Sequence, residues 1–264
     1  MSAPAFRRIV LTGASGGIGA ALADRLAAPG VSMLLTGRDG ARLEAATAAP
    51  RARGAAIETA RLDVTDREAL SERLSAFDAA APVDLVIANA GVSAGLAPGR
   101  RPEPPEAARR VIAVNLIGAL NTVEPLLPAL LDRRAGSIAL MSSMAALRPH
   151  PDMPSYSASK AALRAYGEAL RGWLGPSGVR VSVICPGFVT SPMSRRHRGP
   201  RPFEIDAGRA ADRIARGLAS GAPFVTFPWP LALLCWLDRR LPPRLADRIA
   251  RAGFAAEIAP DAES

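Results

Sequence analysis

Tyr156 and Lys160 stand four residues apart in a stretch whose apolar spacing predicts a helix, so their side chains share one face. A phenol with a reference pKa of about 10 is a poor acid or base at neutral pH, and a cation beside it favours phenolate and lowers that value. Lys160 is the only lysine among 33 basic residues. A chain that writes arginine almost everywhere else keeps one compact ammonium here, which points to a need that a planar guanidinium does not meet. Ser143, thirteen residues before the tyrosine, can donate a hydrogen bond to a carbonyl oxygen and hold it beside the phenol. Each residue also has a bland reading: Tyr156 as a core aromatic, Lys160 as a solvated helix residue, Ser143 as a strand-end cap, Asn115 as a hydrogen-bonder inside a helix. Taken jointly they favour proton transfer at a substrate oxygen.

A second cluster lies near the start of the chain. The first strand runs into Thr12-Gly13-Ala14-Ser15-Gly16-Gly17-Ile18-Gly19 and then into a helix. Glycines let the backbone turn tightly and approach a pyrophosphate, whose charge sits against the free N–H groups of the helix N-terminus. Gly13, Ser15 and Gly17 also spell the G-x-S-x-G elbow of hydrolases, which needs a later acid and histidine. Only His150 and His197 are available, both in Pro/Arg-rich loop sequence, and an elbow normally follows a strand deep in the sheet. Dinucleotide binding is therefore the expectation.

Elements that could position both clusters follow from the apolar pattern. Short Val/Ile/Leu runs fall at Arg8–Thr12, Ser32–Thr36, Ala56–Leu62, Asp84–Ala88, Ser137–Met141, Arg180–Ile184 and Phe224–Phe227. Helical patterns lie between them at Gly17–Ala28, Ala41–Ala49, Arg67–Ala80, Glu106–Leu131, Ser155–Leu174 and Ala207–Ser220. Strands apolar on both faces, alternating with helices, predict an α/β fold: a Rossmann-type, doubly wound parallel sheet in three α/β/α layers, as a single domain. The 264 residues suffice for one such core without disulfides or metal.

With these residues in view, the chain resembles the short-chain dehydrogenase/reductase family over about residues 7 to 228. Thr12–Gly19 resembles its TGxxxGxG cofactor loop, and Asn89-Ala90-Gly91 its NNAG motif, with the first position changed to Ala88. Asn115, Ser143, Tyr156 and Lys160 fall at the places of its catalytic tetrad. Pro186-Gly187 followed by Ser191 resembles its PG motif, with serine where threonine is usual. The resemblance implies that Lys160 donates to the nicotinamide ribose and that Asn115 holds a water relaying protons through Lys160. It further implies cofactor contacts from Gly13, Ser15, Gly16, Gly17, Ile18, Gly19, Val64, Asn89, Ala90, Gly91, Pro186, Gly187, Val189 and Ser191, as well as from Tyr156 and Lys160. Asp63 resembles the acid that bonds the adenine amino group, its alternative being an N-cap, for which Thr65 or Asp66 would serve equally.

At the end of the second strand, Thr36-Gly37-Arg38 offers no acid for ribose hydroxyls and an arginine for a 2′-phosphate, so NADP(H) is expected over NAD(H). The substrate pocket implied by the resemblance is largely apolar, with Met144, Leu147, Met153, Phe188 and Met193. Arg195, Arg196, His197 and Arg198 form either a basic lid for an acidic substrate or, the preferred reading, a solvated loop.

A net charge of +9 and a sequence pI near 11.1 invite a nucleic-acid reading, but the arginines are scattered and no helix-turn-helix, zinc or aromatic-interleaved basic motif accompanies them. Cys185 and Cys235 lack CxxC or Cys/His spacing, so neither a metal site nor a disulfide framework is expected, and a reducing, cytoplasmic setting fits. The N-terminus, Met1 to Arg8, has no signal-peptide pattern, and no apolar run reaches the roughly 18 residues of a membrane span. Residues 1–228 read as the NADP-binding, catalytic domain, and residues 229–264 as a helical extension packed on it.

The extension starts from an apolar segment, Pro223 to Leu237, which continues into Asp238-Arg239-Arg240 and a second helix carrying Arg244, Arg248 and Arg251. Clustered tryptophan and arginine suit a homodimer or homotetramer interface, the favoured reading, or a helix lying on an anionic membrane surface. The expectation is thus an NADP(H)-dependent oxidoreductase acting on a carbonyl or secondary alcohol; the contrasting class is a dinucleotide-binding sensor or scaffold that turns nothing over.

Overall fold

The computed structural model describes residues 5–238 and 240–259, with nothing said of the Phe254 side chain; Met1–Pro4, Arg239 and residues 260–264 of the extension lie outside them. The strands are Arg8–Thr12 (β1), Ser32–Gly37 (β2), Ala56–Arg61 (β3), Leu85–Ala88 (β4), Gly136–Met141 (β5), Val179–Pro186 (β6), His197–Arg198 (β7), Phe224–Phe227 (β8) and Glu257–Ile258 (β9). Seven of them form one parallel sheet in the order β3-β2-β1-β4-β5-β6-β8, while β7 and β9 pair antiparallel as a separate clip.

Helices connect them: Gly17–Leu26 (α1), Gly40–Ala45 (α2), Ala48–Ala52 (α3), Arg67–Ala80 (α4), Pro105–Ile112 (α5), Gly118–Val123 (α6), Leu127–Arg133 (α7), Pro154–Leu174 (α8), Pro192–Arg195 (α9), Ala207–Ala219 (α10), Trp229–Asp238 (α11) and Pro243–Phe254 (α12).

Successive strand residues point to opposite faces, and the two halves of the core follow from that period. Ile9, Leu11, Met33 and Leu35 pack with Leu22 of α1 and with Ile214 and Leu218 of α10 on one face. Val10, Leu34, Val86 and Leu140 pack with Leu70 and Phe77 of α4 and with Leu163 and Leu170 of α8 on the other. Both faces are covered, as a parallel sheet requires. The strand order reverses direction between β1 and β4, and in such sheets the crevice at the carboxyl ends beside that switch is where ligands bind.

Three departures from the sequence reading have local causes. The single helix expected at 41–49 is two, because the Thr47 hydroxyl donates to the Glu44 carbonyl at 2.8 Å and Pro50 has no N–H to continue the ladder. The helix expected at 106–131 is a continuous helical run, Pro105–Arg133, which widens to a π-turn at Ala113–Ile117 and tightens around Pro125 at Glu124–Leu126. That run holds an 18-residue window of mean hydropathy 1.4 and so also meets the length and composition of a membrane span, which counting uninterrupted apolar residues did not reveal; half of that window is buried within this fold. The β7–β9 clip was not foreseen, since two-residue strands carry no periodicity.

Candidate active site

The glycine loop between β1 and α1 is fixed by packing and hydrogen bonds. A Cβ on Gly19 would collide with the Gly13 carbonyl oxygen, and one on Gly13, whose φ is +67°, would stand 2.7 Å from Ala90 Cα. Asn89 holds the loop, its Nδ2 donating to the carbonyls of Thr12 and Gly13 at 3.0 Å each. The Thr12 hydroxyl accepts from the backbone N–H of Asn89 at 3.2 Å and of Ala90 at 3.3 Å. Asn89-Ala90-Gly91 therefore shapes the cofactor loop as well as lining it.

Asp39, Asp66 and Asp206 cap α2, α4 and α10 through their side chains, but no side chain caps α1. The first N–H groups of α1 thus face a cleft of about 680 Å³ with no side-chain acceptor of their own. An anion such as a pyrophosphate fits that terminus.

The cleft brings together nearly all of the residues singled out above. Gly13, Ser15, Gly16, Gly17, Ile18 and Gly19 line one end with Arg38, Asp63 and Val64. Asn89, Ala90 and Gly91 lie at the centre, and Ser143, Tyr156 and Lys160 face Pro186, Gly187, Val189 and Ser191. Asp63 is not a helix cap: its Oδ1 accepts from the Thr65 N–H at 2.9 Å and hydroxyl at 2.8 Å, while Asp66 caps α4. Ser191 caps α9 through reciprocal bonds with Ser194, and the Gly187 N–H donates to Phe227 O at 2.7 Å.

Asn115 lies behind the cleft, fully buried. The π-turn brings its amide to Val92, accepting from the N–H at 2.8 Å and donating to the C=O at 3.0 Å. It also donates to Ser159 Oγ at 3.0 Å, and that hydroxyl donates to Tyr156 O at 2.7 Å. Its side chain braces the β4 loop against α8. One Oδ1 lone pair remains for the water that the family resemblance implies; a Cβ on Gly91 would lie 3.2 Å from this oxygen and 3.4 Å from Lys160 Nζ.

Lys160 is buried, its ammonium donating to Met141 O at 2.8 Å and standing 5.8 Å from the Tyr156 ring centroid. Burial pulls its pKa down to about 8. The expectation that Lys160 lowers the pKa of Tyr156 is corrected here: burial dominates and raises the phenol, and the hydrogen bond from Ser143 is what acts in the lowering direction. The Ser143 hydroxyl also accepts from the Ala145 N–H at 3.1 Å, which fixes it at the end of β5.

Sequence reasoning missed Arg42, which lines the cleft beside Arg38, its Nη2 3.2 Å from where a Cβ on Gly16 would be. A basic residue five positions past a strand carries no signal until α2 folds it back. The solvated loop preferred for Arg195, Arg196, His197 and Arg198 is corrected in part: Arg196 and His197 line the cleft, His197 is buried, and Arg196 donates to the carbonyls of Ala259 and Ser93 at 3.0 and 3.2 Å and so braces the loop. Leu231, Leu234, Cys235 and Leu237 of α11 and Ile249 of α12 form the remaining wall, so the extension completes the cleft.

A family model described as short chain dehydrogenase matches residues 7–201. An uncharacterized oxidoreductase of Myxococcus xanthus is 38% identical over 252 residues, covering 95% of this chain and 99% of the relative. The 1-deoxy-11-beta-hydroxypentalenate dehydrogenase of Streptomyces exfoliatus is 36% identical, covering 79% and 77%. A short chain dehydrogenase/reductase from Burkholderia phymatum, solved in complex with NAD, is 25% identical with a TM-score of 0.80, covering 90% of this chain and 95% of that one. With the glycine loop, the Ser143–Tyr156–Lys160 set and this shared sheet, the chain belongs to the short chain dehydrogenase family of oxidoreductases.

Proposed function

We propose that the protein is an NADP(H)-dependent oxidoreductase that moves hydride between a nicotinamide and a carbonyl or secondary alcohol, with Tyr156 as acid and base. The observation that carries this reading is one cleft holding both the uncapped, glycine-lined start of α1 and the Ser143–Tyr156–Lys160 set, with Lys160 buried and Tyr156 half-buried. When bound, the nicotinamide supplies or accepts the hydride. Ser143 donates a hydrogen bond to the substrate oxygen, and Tyr156 gives that oxygen its proton in reduction or takes it in oxidation. Lys160 holds the ribose, and the loop amides hold the pyrophosphate. The contacting groups are Gly13, Ser15, Gly16, Gly17, Ile18, Gly19, Asp63, Val64, Asn89, Ala90, Gly91, Pro186, Gly187, Val189 and Ser191. A sensor or scaffold needs no acid/base, so a phenol lining the cleft beside a buried ammonium argues against that reading.

Cofactor choice rests on local residues, since the Burkholderia phymatum relative was solved with NAD. Arg38 and Arg42 line the adenosine end and Gly37 presents no acid. A charge-assisted pair with a 2′-phosphate contributes about 1.5–3 kcal/mol, or roughly ten- to a hundredfold in affinity. Calorimetric titration is expected to show NADPH binding tighter than NADH by that factor, and Arg38→Ala is expected to remove most of the difference. Equal affinities in the wild type would contradict the assignment.

We also propose that a second copy of the chain covers the outer stripe of α11. Trp229, Leu233 and Trp236 are 73%, 46% and 53% exposed, at helical spacing. Arg240 stacks 3.2 Å over the Trp236 ring. Aromatic and Arg residues are enriched in such interfaces. Light scattering should give a dimer or larger species that Leu233→Glu with Trp236→Glu dissociates; a monomeric wild type would overturn this. Pelleting with anionic vesicles that the variant loses, without a change of mass, would instead select a membrane surface. The two buried free thiols, Cys185 and Cys235, suit a reducing, cytoplasmic setting.

A further inference from the structure

The wall that α11 and α12 add to the cleft is apolar apart from Asp238 and grows more exposed along its length. Next to the catalytic end, Leu231 and Cys235 are buried against Met144. Further out, Leu234, Leu237, Leu241 and Ile249 line the same cleft and are also 51%, 47%, 37% and 45% exposed at the surface. An apolar lining thus runs from Leu231 and Cys235 out to solvent at Leu241 and Ile249, crossed by charge, among the described residues, only at the Arg148–Asp238 ion pair.

Charged groups on that side are already engaged. Arg148 pairs with Asp238 of α11 and, at 3.2 Å, with Asp247 of α12. Arg196 is spent on the carbonyls of Ser93 and Ala259. The two histidines pack edge to face, ring centroids 5.5 Å apart, with His197 against Phe188 at 4.9 Å. An open apolar channel of this kind leaves leucine and isoleucine side chains in water until something apolar covers them.

Building on the oxidoreductase reading, we infer that the substrate is a long-chain aliphatic ketone or secondary alcohol, its oxygen at Ser143 and Tyr156 and its alkyl tail lying along Leu231 and Leu234 to leave past Leu241 and Ile249. Burying each further methylene in such a channel strengthens binding about fourfold. The tail needs no charged head at its far end, because the channel opens to solvent.

The test is a homologous series, 2-butanol to 2-dodecanol by calorimetry and the matching 2-alkanones by NADPH oxidation, at concentrations below micelle formation. The expected result is a three- to fourfold gain in affinity per methylene over at least four consecutive members, with a parallel rise in kcat/KM. A binding series flat beyond 2-hexanol overturns the inference. The channel variants Leu241→Glu with Ile249→Glu, and separately Leu234→Glu, introduce a charge only where the side chain is already part-exposed, and retained NADPH binding reports that each is folded. Both are expected to flatten the series; a slope that survives in them places the chain elsewhere, such as on Trp229 and Leu233, and also overturns it. Chain-dependent binding without NADPH oxidation by any ketone would uphold the channel and refute the oxidoreductase reading, so the two fail separately.

Discussion

Tyr156→Phe is expected to lower carbonyl reduction roughly a thousandfold, within the range that a positioned general acid contributes, while leaving NADPH affinity nearly unchanged. The ring keeps its packing in the half-buried wall of the cleft, and only the oxygen that meets Ser143 is lost. Stopped-flow reduction and a cofactor titration separate the two quantities; a variant that still turns over within tenfold of wild type would remove the phenol from the mechanism. The direction of the Tyr156 shift adds a sign. Burial raises its pKa, so the protein alone keeps the phenol protonated through neutral pH and above, the form that donates in reduction. Alcohol oxidation needs the phenolate, so its rate is expected to climb with pH where reduction stays level or falls.

Lys160→Arg should fail almost as completely despite keeping the charge. The Lys160 ammonium is buried, donates to Met141 O at 2.8 Å and lies 3.4 Å from where a Cβ on Gly91 would be. A wider, planar guanidinium does not fit that space without displacing β5 or the Gly91 turn. Stability carries a second signature. Burial holds the lysine at about 8 in the folded chain, below the 10.5 of an unperturbed lysine. Between those values the unfolded chain binds the proton and the folded chain does not, so wild-type stability gains from this group as pH rises from about 8 to 10.5. Arginine keeps its proton throughout and forgoes the gain. Melting curves at pH 7 and 10 are expected to show the variant falling further behind wild type at pH 10; a constant gap would contradict the buried ammonium.

The sheet was legible because strands such as Arg8–Thr12 and Phe224–Phe227 are short apolar runs bounded by turn residues, and these two fell on the expected positions. Tyr156 and Lys160 were legible because helical spacing alone puts them on one face. What the sequence could not carry was anything made by long-range closure. The π-turn that aims Asn115 at Val92 exists only against the β4 loop, and the β7–β9 clip exists only because Ile258 returns to His197. Arg42 reaches the glycine loop only because α2, which starts at Gly40, turns it back toward Gly16. The extension read as an apolar surface looking for a partner, yet α11 has two sides: Trp229 and Trp236 face outward while Leu231 and Cys235 close the cleft. Propensity and spacing do not distinguish those sides. Nor do they weigh desolvation against charge, which is why the phenol was expected to be lowered by its lysine and is instead raised by its burial.

The central claim, hydride transfer at a substrate carbon beside Tyr156, is tested most directly with NADPH deuterated at the transferring position of nicotinamide C4. Incubated with the purified chain and a 2-alkanone, it is expected to give a secondary alcohol carrying one deuterium on the carbinol carbon, with labelled product from Tyr156→Phe accumulating roughly a thousandfold more slowly. Cofactor that binds tightly yet yields unlabelled alcohol or no product with any carbonyl offered would contradict the account.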